Sequence, residues 1–130
     1  MEWHNTAKVG NIEIKQKYIE SMFPDFIQGP QFEEELYLTY HNSETNTNIF
    51  VSEETIRAVQ NGKSFIYNGI NLISKTQLEA IKILSLPLPN EIRWDYHFEY
   101  ENGLCISLYC VDDIVKWVTV SDWEGKPMYQ

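Results

Sequence analysis

The stretch IRWDYHFEYE, residues 92–101, alternates strictly between apolar and polar side chains. Its apolar positions are Ile92, Trp94, Tyr96, Phe98 and Tyr100. Successive side chains of a β-strand point to opposite faces, so a period of two predicts an antiparallel strand with one buried face. We therefore expect an aromatic, core-facing strand here, and a sheet around it that decides the fold.

The residues that follow predict a C-terminal meander of three strands. A loop ending in Gly103 leads into LCISLYCV, residues 104–111, and a second turn leads into a further strand at 114–120. If the loop has three residues and Gly103 is left-handed, Phe98 faces Ile106 and the apolar side chains share one face. We therefore expect these four residues of the first strand to be buried together: Trp94, Tyr96, Phe98 and Tyr100.

Three other segments predict helices. Segment 11–23 repeats apolar residues at four-residue spacing, segment 53–61 opens with two glutamates after a serine, and segment 74–85 opens with capping-box spacing. Between the last two, Asn68-Gly69 predicts a hairpin with a two-residue turn.

Together these patterns predict an α+β fold, in which an antiparallel sheet with a C-terminal three-strand meander packs against about three helices. Alternating and apolar runs at 32–41 and 49–51 add strands to that sheet. A chain of 130 residues is of ordinary size for one domain, and no linker or internal repeat divides it. The sequence therefore predicts a single domain over residues 1–130.

The charge balance narrows the class of partner. The chain has 19 acidic and 10 basic residues, a formal net charge of −9. Such a surface repels phosphate backbones and anionic lipid heads, so nucleic acid and membranes are not expected as partners. The two cysteines, Cys105 and Cys110, lie too far apart on one strand for a disulfide and face opposite sides. Without a signal segment or membrane span in the sequence, we expect a cytoplasmic protein.

The sequence contains few residues in patterns that could form a catalytic or metal-binding site. Asp95, His97 and Glu99 are two residues apart on one strand face, a spacing at which they could ligate a metal or act as acid and base. Neighbouring members are about 6.8 Å apart at the backbone, and alternating charges are typical of a solvated sheet face. Neither cysteine has basic neighbours that would activate it as a nucleophile. We therefore expect no catalytic residues, no metal, no cofactor and no enzymatic activity.

Acidic and aromatic residues point instead to binding. Carboxylates attract basic side chains, and exposed aromatic residues anchor interfaces. Reversing the charges of an acidic rim is then expected to slow association with a basic partner. The candidate binding residues are Glu33, Glu34, Glu35, Tyr37, Asp95, His97, Glu99 and Tyr109, with Trp3 and Trp123 as further aromatic anchors.

In size, acidity, aromatic content and mixed secondary structure, the chain resembles the small immunity proteins that bacteria pair with toxins. The resemblance implies a cytosolic inhibitor that covers a basic toxin domain through charge-complementary contacts. Two alternatives remain open at this point. One is a small enzyme or ligand-binding domain with Asp95, His97 and Glu99 at a pocket rim, and the other is a subunit of a larger assembly.

Overall fold

The computed structural model describes residues 1–31 and 37–122, and a large antiparallel sheet dominates it. The strands are β1 (Lys8–Val9), β2 (Ile12–Glu13), β3 (Ile27–Gln28), β4 (Leu38–Asn42), β5 (Thr47–Ser52), β6 (Thr55–Asn61), β7 (Ile66–Tyr67), β8 (Ile70–Asn71), β9 (Asp95–Glu99), β10 (Cys105–Val111) and β11 (Ile114–Ser121); helix α1 is Gln77–Ile83, and a 3-10 helix spans Glu20–Met22. Seven strands form one sheet in the order β3-β4-β5-β6-β11-β10-β9, whereas β1-β2 and β7-β8 are separate hairpins.

The prediction of an α+β fold with about three helices is wrong. Of the described residues, 44% are in strands and 9% are helical, and α1 is their one helix of seven or more residues. Segment 11–23 forms β2 and turns that lead to the 3-10 helix, and segment 53–61 forms β6. The predicted helix at 74–85 is confirmed in its centre, and the hairpin at Asn68-Gly69 is confirmed as β7-β8.

A β-bulge explains why β6 has helical spacing in the sequence. Ile56 pairs with Val51, but the next pair joins Ala58 to Phe50, so Arg57 is an extra residue on β6. A bulge inserts one residue into a strand and shifts its alternation. Ile56 and Val59 consequently face the same side at a separation of three residues, which is also the spacing of a helix face.

Helix α1 begins at a capping box formed by Thr76 and Glu79 rather than by the predicted pair at 74 and 77. The Thr76 hydroxyl accepts from the Glu79 N–H at 3.2 Å, and the Glu79 carboxylate accepts from the Thr76 N–H at 3.0 Å. These reciprocal bonds satisfy two N–H groups that a helix start leaves unpaired.

The C-terminal meander has the predicted register. Phe98 lies opposite Ile106, Gly103 has a φ of +85°, and the Tyr100 N–H donates to the Leu104 carbonyl at 2.7 Å. Three of the four aromatic side chains pack against the core, but Trp94 is 66% exposed. The prediction for Trp94 is wrong because β9 begins only at Asp95, and the alternation ends with the strand.

The side of the sheet covered by α1 and both hairpins is called the inner face. Trp3 is fully buried in the core on this side, where its ring contacts Phe65 and Tyr67. The opposite side is called the outer face. The inner face contributes these buried strand residues to the core: Ile49, Val51, Ile56, Val59, Ile106, Leu108, Val118 and Val120.

The sheet is built from two meanders of the same design, β4-β5-β6 and β9-β10-β11, joined by the pairing of β6 with β11. In each, the last turn consists of two acidic residues with positive φ, Glu53-Glu54 (53° and 65°) and Asp112-Asp113 (52° and 66°). Each last strand then carries a bulge at a basic residue, Arg57 or Lys116. The amino-acid sequence shows no internal repeat because these equivalent positions are filled by different residues.

The pairing of β6 with β11 relates the two meanders by a local two-fold axis perpendicular to the sheet. Gln60 and Thr119 occupy equivalent positions and lie directly opposite each other, which places the axis between them. The Gln60 side-chain N–H donates to the Thr119 hydroxyl at 3.0 Å. Beside this pair, Val59 lies opposite Val120 and Asn61 opposite Val118, as the two-fold relation requires.

Replacing Asp113 with glycine is expected to raise the free energy of unfolding by about 1 kcal/mol. Left-handed backbone costs a non-glycine residue roughly that amount, and the Asp113 Oδ1 is buried without a hydrogen-bond partner. Urea unfolding measures the change. Gly69→Ala, at the same position of the β7-β8 turn (φ +79°), is the reciprocal control and should destabilise by a similar amount. A lower midpoint for Asp113→Gly contradicts the prediction.

Candidate binding face on β9 and β10

Strand β9 forms one edge of the sheet and carries three of the predicted site residues on the outer face. Asp95, His97 and Glu99 alternate with the inner-facing Tyr96 and Phe98, as the sequence predicts. All three predicted side chains are exposed. On the neighbouring strand β10, Tyr109 lies opposite Asp95, so the structure brings a fourth predicted residue to the same face.

An exposed aromatic pair lies beside Asp95 at one end of this face. The rings of Trp94 and Tyr109 meet edge to face, with centroids 5.8 Å apart and an interplanar angle of 71°. Their exposed fractions are 66% and 42%, which is high for residues of this size. The chain holds the pair in place because the Trp94 carbonyl accepts from the Cys110 N–H at 2.6 Å.

A row of polar side chains crosses the outer face from β4 to β9. In the first meander the His41 ring lies 2.6 Å from the Asn48 amide oxygen, and the Asn48 amide donates to Gln60 at 2.9 Å. In the second, Thr119 lies opposite Ser107, whose hydroxyl is 2.9 Å from Nδ1 of His97. His41 and His97 therefore end the row at equivalent positions of the two meanders.

The second meander places a thiol next to this row, two residues from Ser107 on β10. Cys105 lies opposite Glu99, and ligand atoms of His97, Glu99 and Cys105 all lie within 4.8 Å of one another. The sequence pattern groups Asp95 with His97 and Glu99 along one strand and does not include Cys105. Directly opposite side chains approach to about 5 Å, whereas same-face neighbours along a strand are about 6.8 Å apart. The predicted register, with Phe98 opposite Ile106, already places Cys105 opposite Glu99.

Cys110 has a different environment. It lies on the inner face, opposite in direction to Cys105 as predicted, and neither cysteine forms a disulfide. Burial raises the pKa of the Cys110 thiol. The thiol is therefore protonated at neutral pH, and its Sγ lies 3.6 Å from the Gln77 amide nitrogen.

Other predicted binding residues lie elsewhere. Tyr37 is buried, and its ring packs edge to face on Phe50 with centroids 5.2 Å apart, so it does not lie on the exposed outer face with the other candidates. Trp3 is buried in the core and is not exposed there either. The predicted residues Glu33, Glu34, Glu35 and Trp123 lie outside the described residues.

Two cavities, of about 560 and 490 Å³, open on other parts of the molecule. The larger one is lined in part by Phe23, Phe26 and Asn61, and the smaller one by Tyr18 and Tyr40. Asp95, His97 and Glu99 line neither of these cavities, which therefore give no support to a pocket with these residues at its rim.

Within residues 1–31 and 37–122, no helix has the length and apolar character needed to cross a bilayer. No protein-family model matches the chain, and the searches of curated proteins and of solved structures found no similar protein.

Proposed function

We propose that this protein binds a basic protein partner through the outer face of β9 and β10 and thereby blocks it, as an immunity protein neutralises a toxin. The observation that carries the proposal is the exposed Trp94–Tyr109 pair, which lies beside the Asp95 carboxylate, with Glu99 four residues further along the same face. The proposal assigns the protein to the cytoplasm and gives it no catalytic step.

The aromatic pair supplies the anchor. Tryptophan and tyrosine are enriched among the few residues that dominate binding energy, because each buries a large apolar area with little loss of side-chain entropy. Trp94 does not contribute to the core cluster, whereas Tyr96 and Phe98 do. Its large apolar surface is therefore available to a partner.

The carboxylates supply attraction and selectivity. Asp95 and Glu99 are exposed on the same face as Tyr109, and the whole chain has a formal net charge of −9. Complementary charges raise association rates and disfavour partners of the same sign. A basic toxin domain is a partner of the required charge, and one that a bacterium must keep covered.

Replacing Trp94 with alanine is expected to weaken binding by about 2 kcal/mol, roughly 30-fold, through faster dissociation. Asp95→Lys combined with Glu99→Lys should instead slow association and reduce its dependence on salt, because exposed charges mainly steer encounters. The partner is first captured from the native organism at low salt and identified, and binding kinetics are then measured across ionic strength.

Two variants serve as controls. Ile27→Ala removes an exposed apolar side chain at the opposite edge of the sheet, and Glu20→Lys reverses a charge elsewhere; both should leave the kinetics unchanged. If the identified partner is acidic, or if the association rate does not change with ionic strength, electrostatic capture is excluded. A small molecule that co-purifies without any protein favours the ligand-binding alternative, and a mass that grows with concentration favours a subunit of a larger assembly.

A further inference from the structure

We propose that His97, Glu99 and Cys105 bind one Zn²⁺ ion on the outer face, at the junction of β9 and β10. One ring nitrogen, one carboxylate oxygen and one thiolate sulfur supply the three protein ligands. The fourth position of a tetrahedral ion faces solvent and takes a water molecule. The ion site shares Glu99 with the carboxylates proposed to attract a basic partner, but it does not include Trp94 and Tyr109, the aromatic anchor of that interaction.

The donor set selects the metal. Magnesium and calcium prefer oxygen ligands alone, whereas zinc binds nitrogen, sulfur and carboxylate oxygen together. The charges also match, because one thiolate and one carboxylate neutralise a divalent cation while histidine binds as a neutral ring. Ligand atoms within 4.8 Å of one another reach the spacing of about 3.5 Å around a zinc ion by side-chain rotation.

The backbone under the site is held by strand pairing. Glu99 lies opposite Cys105, and His97 lies opposite Ser107 on the same two strands. The Ser107 hydroxyl is 2.9 Å from Nδ1 of His97. When Nδ1 donates its proton to that hydroxyl, Nε2 carries the lone pair that a metal needs. Such a hydrogen bond to a ligating histidine is the usual way in which proteins orient the ring.

The solvent exposure of the three ligand side chains is also suited to an ion. Cys105 is fully buried, whereas His97 and Glu99 are exposed. An ion held between the buried sulfur and the two outer groups is therefore open to solvent on one side. A buried thiolate without a cation would be costly, so the ion also stabilises the charged form of Cys105.

The first meander offers a matched control. His41 occupies the position equivalent to His97, but its partner across the strand pair is Asn48 rather than Ser107, and no thiol is part of its described surroundings on the outer face. Asp95 offers a second control, because it lies on the same strand and face as Glu99 but is not in the ligand set.

The test uses the full chain, stripped of metal with a chelator and titrated with Zn²⁺ and separately with Co²⁺. Wild-type protein is expected to bind one ion per chain and to show a thiolate-to-cobalt charge-transfer band. His97→Gln, Glu99→Gln and Cys105→Ser should each weaken Zn²⁺ binding by about 100-fold or more, and Ser107→Ala by about tenfold. The band should vanish in Cys105→Ser, while His41→Gln and Asp95→Asn bind as wild type.

The proposal is overturned if wild-type protein binds no stoichiometric Zn²⁺, or if His97→Gln and Glu99→Gln bind it as tightly as wild type. These two substitutions are on exposed residues, so they decide the matter even if Cys105→Ser does not fold. Equal losses in His41→Gln and His97→Gln also overturn it. Trp94→Ala should leave Zn²⁺ binding intact, so a failure of the zinc site and a failure of the partner proposal are distinguishable.

Discussion

Replacing Trp3 with alanine is expected to lower the free energy of unfolding by about 3–5 kcal/mol, the range for large aromatic residues removed from a core. The Trp3 side chain is fully buried, and its ring lies 5.7–6.0 Å from the rings of Phe65, Tyr67 and Tyr100. Its indole N–H also donates to the Thr6 carbonyl at 2.7 Å. The substitution leaves a cavity where the N-terminal segment, the β7-β8 hairpin and the end of β9 meet.

Trp94→Ala is the matched control for this measurement. The same change of side chain at an exposed position should alter the free energy of unfolding by less than about 1 kcal/mol, because little buried surface is lost. Urea denaturation monitored by circular dichroism measures both variants without relying on tryptophan fluorescence. Equal losses at the two positions contradict the assignment of Trp3 to the core and Trp94 to the surface.

Replacing Asn61 with alanine is expected to destabilise the fold by about 2–4 kcal/mol. Its buried amide nitrogen donates to the Thr45 carbonyl and to the Thr47 hydroxyl, at 3.1 and 2.8 Å. Its amide oxygen accepts from the Lys63 and Ser64 N–H groups at 2.8 and 2.7 Å. Loss of one partner leaves buried polar groups unsatisfied, at about 1–3 kcal/mol for each group that water does not reach.

Asn61→Asp refines this test. The carboxylate keeps the acceptor for Lys63 and Ser64 but loses the two donated bonds. As the pH is lowered, the carboxyl group becomes protonated and regains a donor, so the destabilisation relative to wild type should become smaller. Asn90→Ala, at an exposed position, should have almost no effect. A stability of Asn61→Ala within about 0.5 kcal/mol of wild type contradicts the proposed role of this amide.

The C-terminal half of the sheet is predictable from sequence because its signals are local. Strict alternation defines β9, and a left-handed Gly103 sets the register with β10. The N-terminal half of the sheet is not predictable in this way, because its strands are recognised only from the residues with which they pair. A serine followed by Glu53-Glu54 predicts a helix over 53–61, but the two glutamates form a turn, and pairing with β5 makes the residues after them a bulged strand. Local patterns do not distinguish a bulged strand from a short helix.

In the candidate site, too, the features set by local sequence patterns were predicted, and those that depend on strand pairing or on the ends of strands were not. The sequence predicts that Asp95, His97 and Glu99 share a face, and the structure confirms it. The predicted register of β9 and β10 also implies that Tyr109 and Cys105 lie on this face, but the sequence-based prediction did not include that step. The exposure of Trp94 depends on where β9 begins, and the ends of elements are the least certain part of a sequence-based prediction.

The local two-fold axis between Gln60 and Thr119 carries an evolutionary consequence. In a symmetric homodimer, a residue on the axis faces its own copy, and every other contact occurs twice with the roles exchanged. The pairing of β6 with β11 has this form within one chain. It is the arrangement expected if a gene for a three-strand unit that once dimerised was duplicated and fused. After fusion the two halves are free to differ, and in this chain one half has a thiol beside its histidine where the other has an amide.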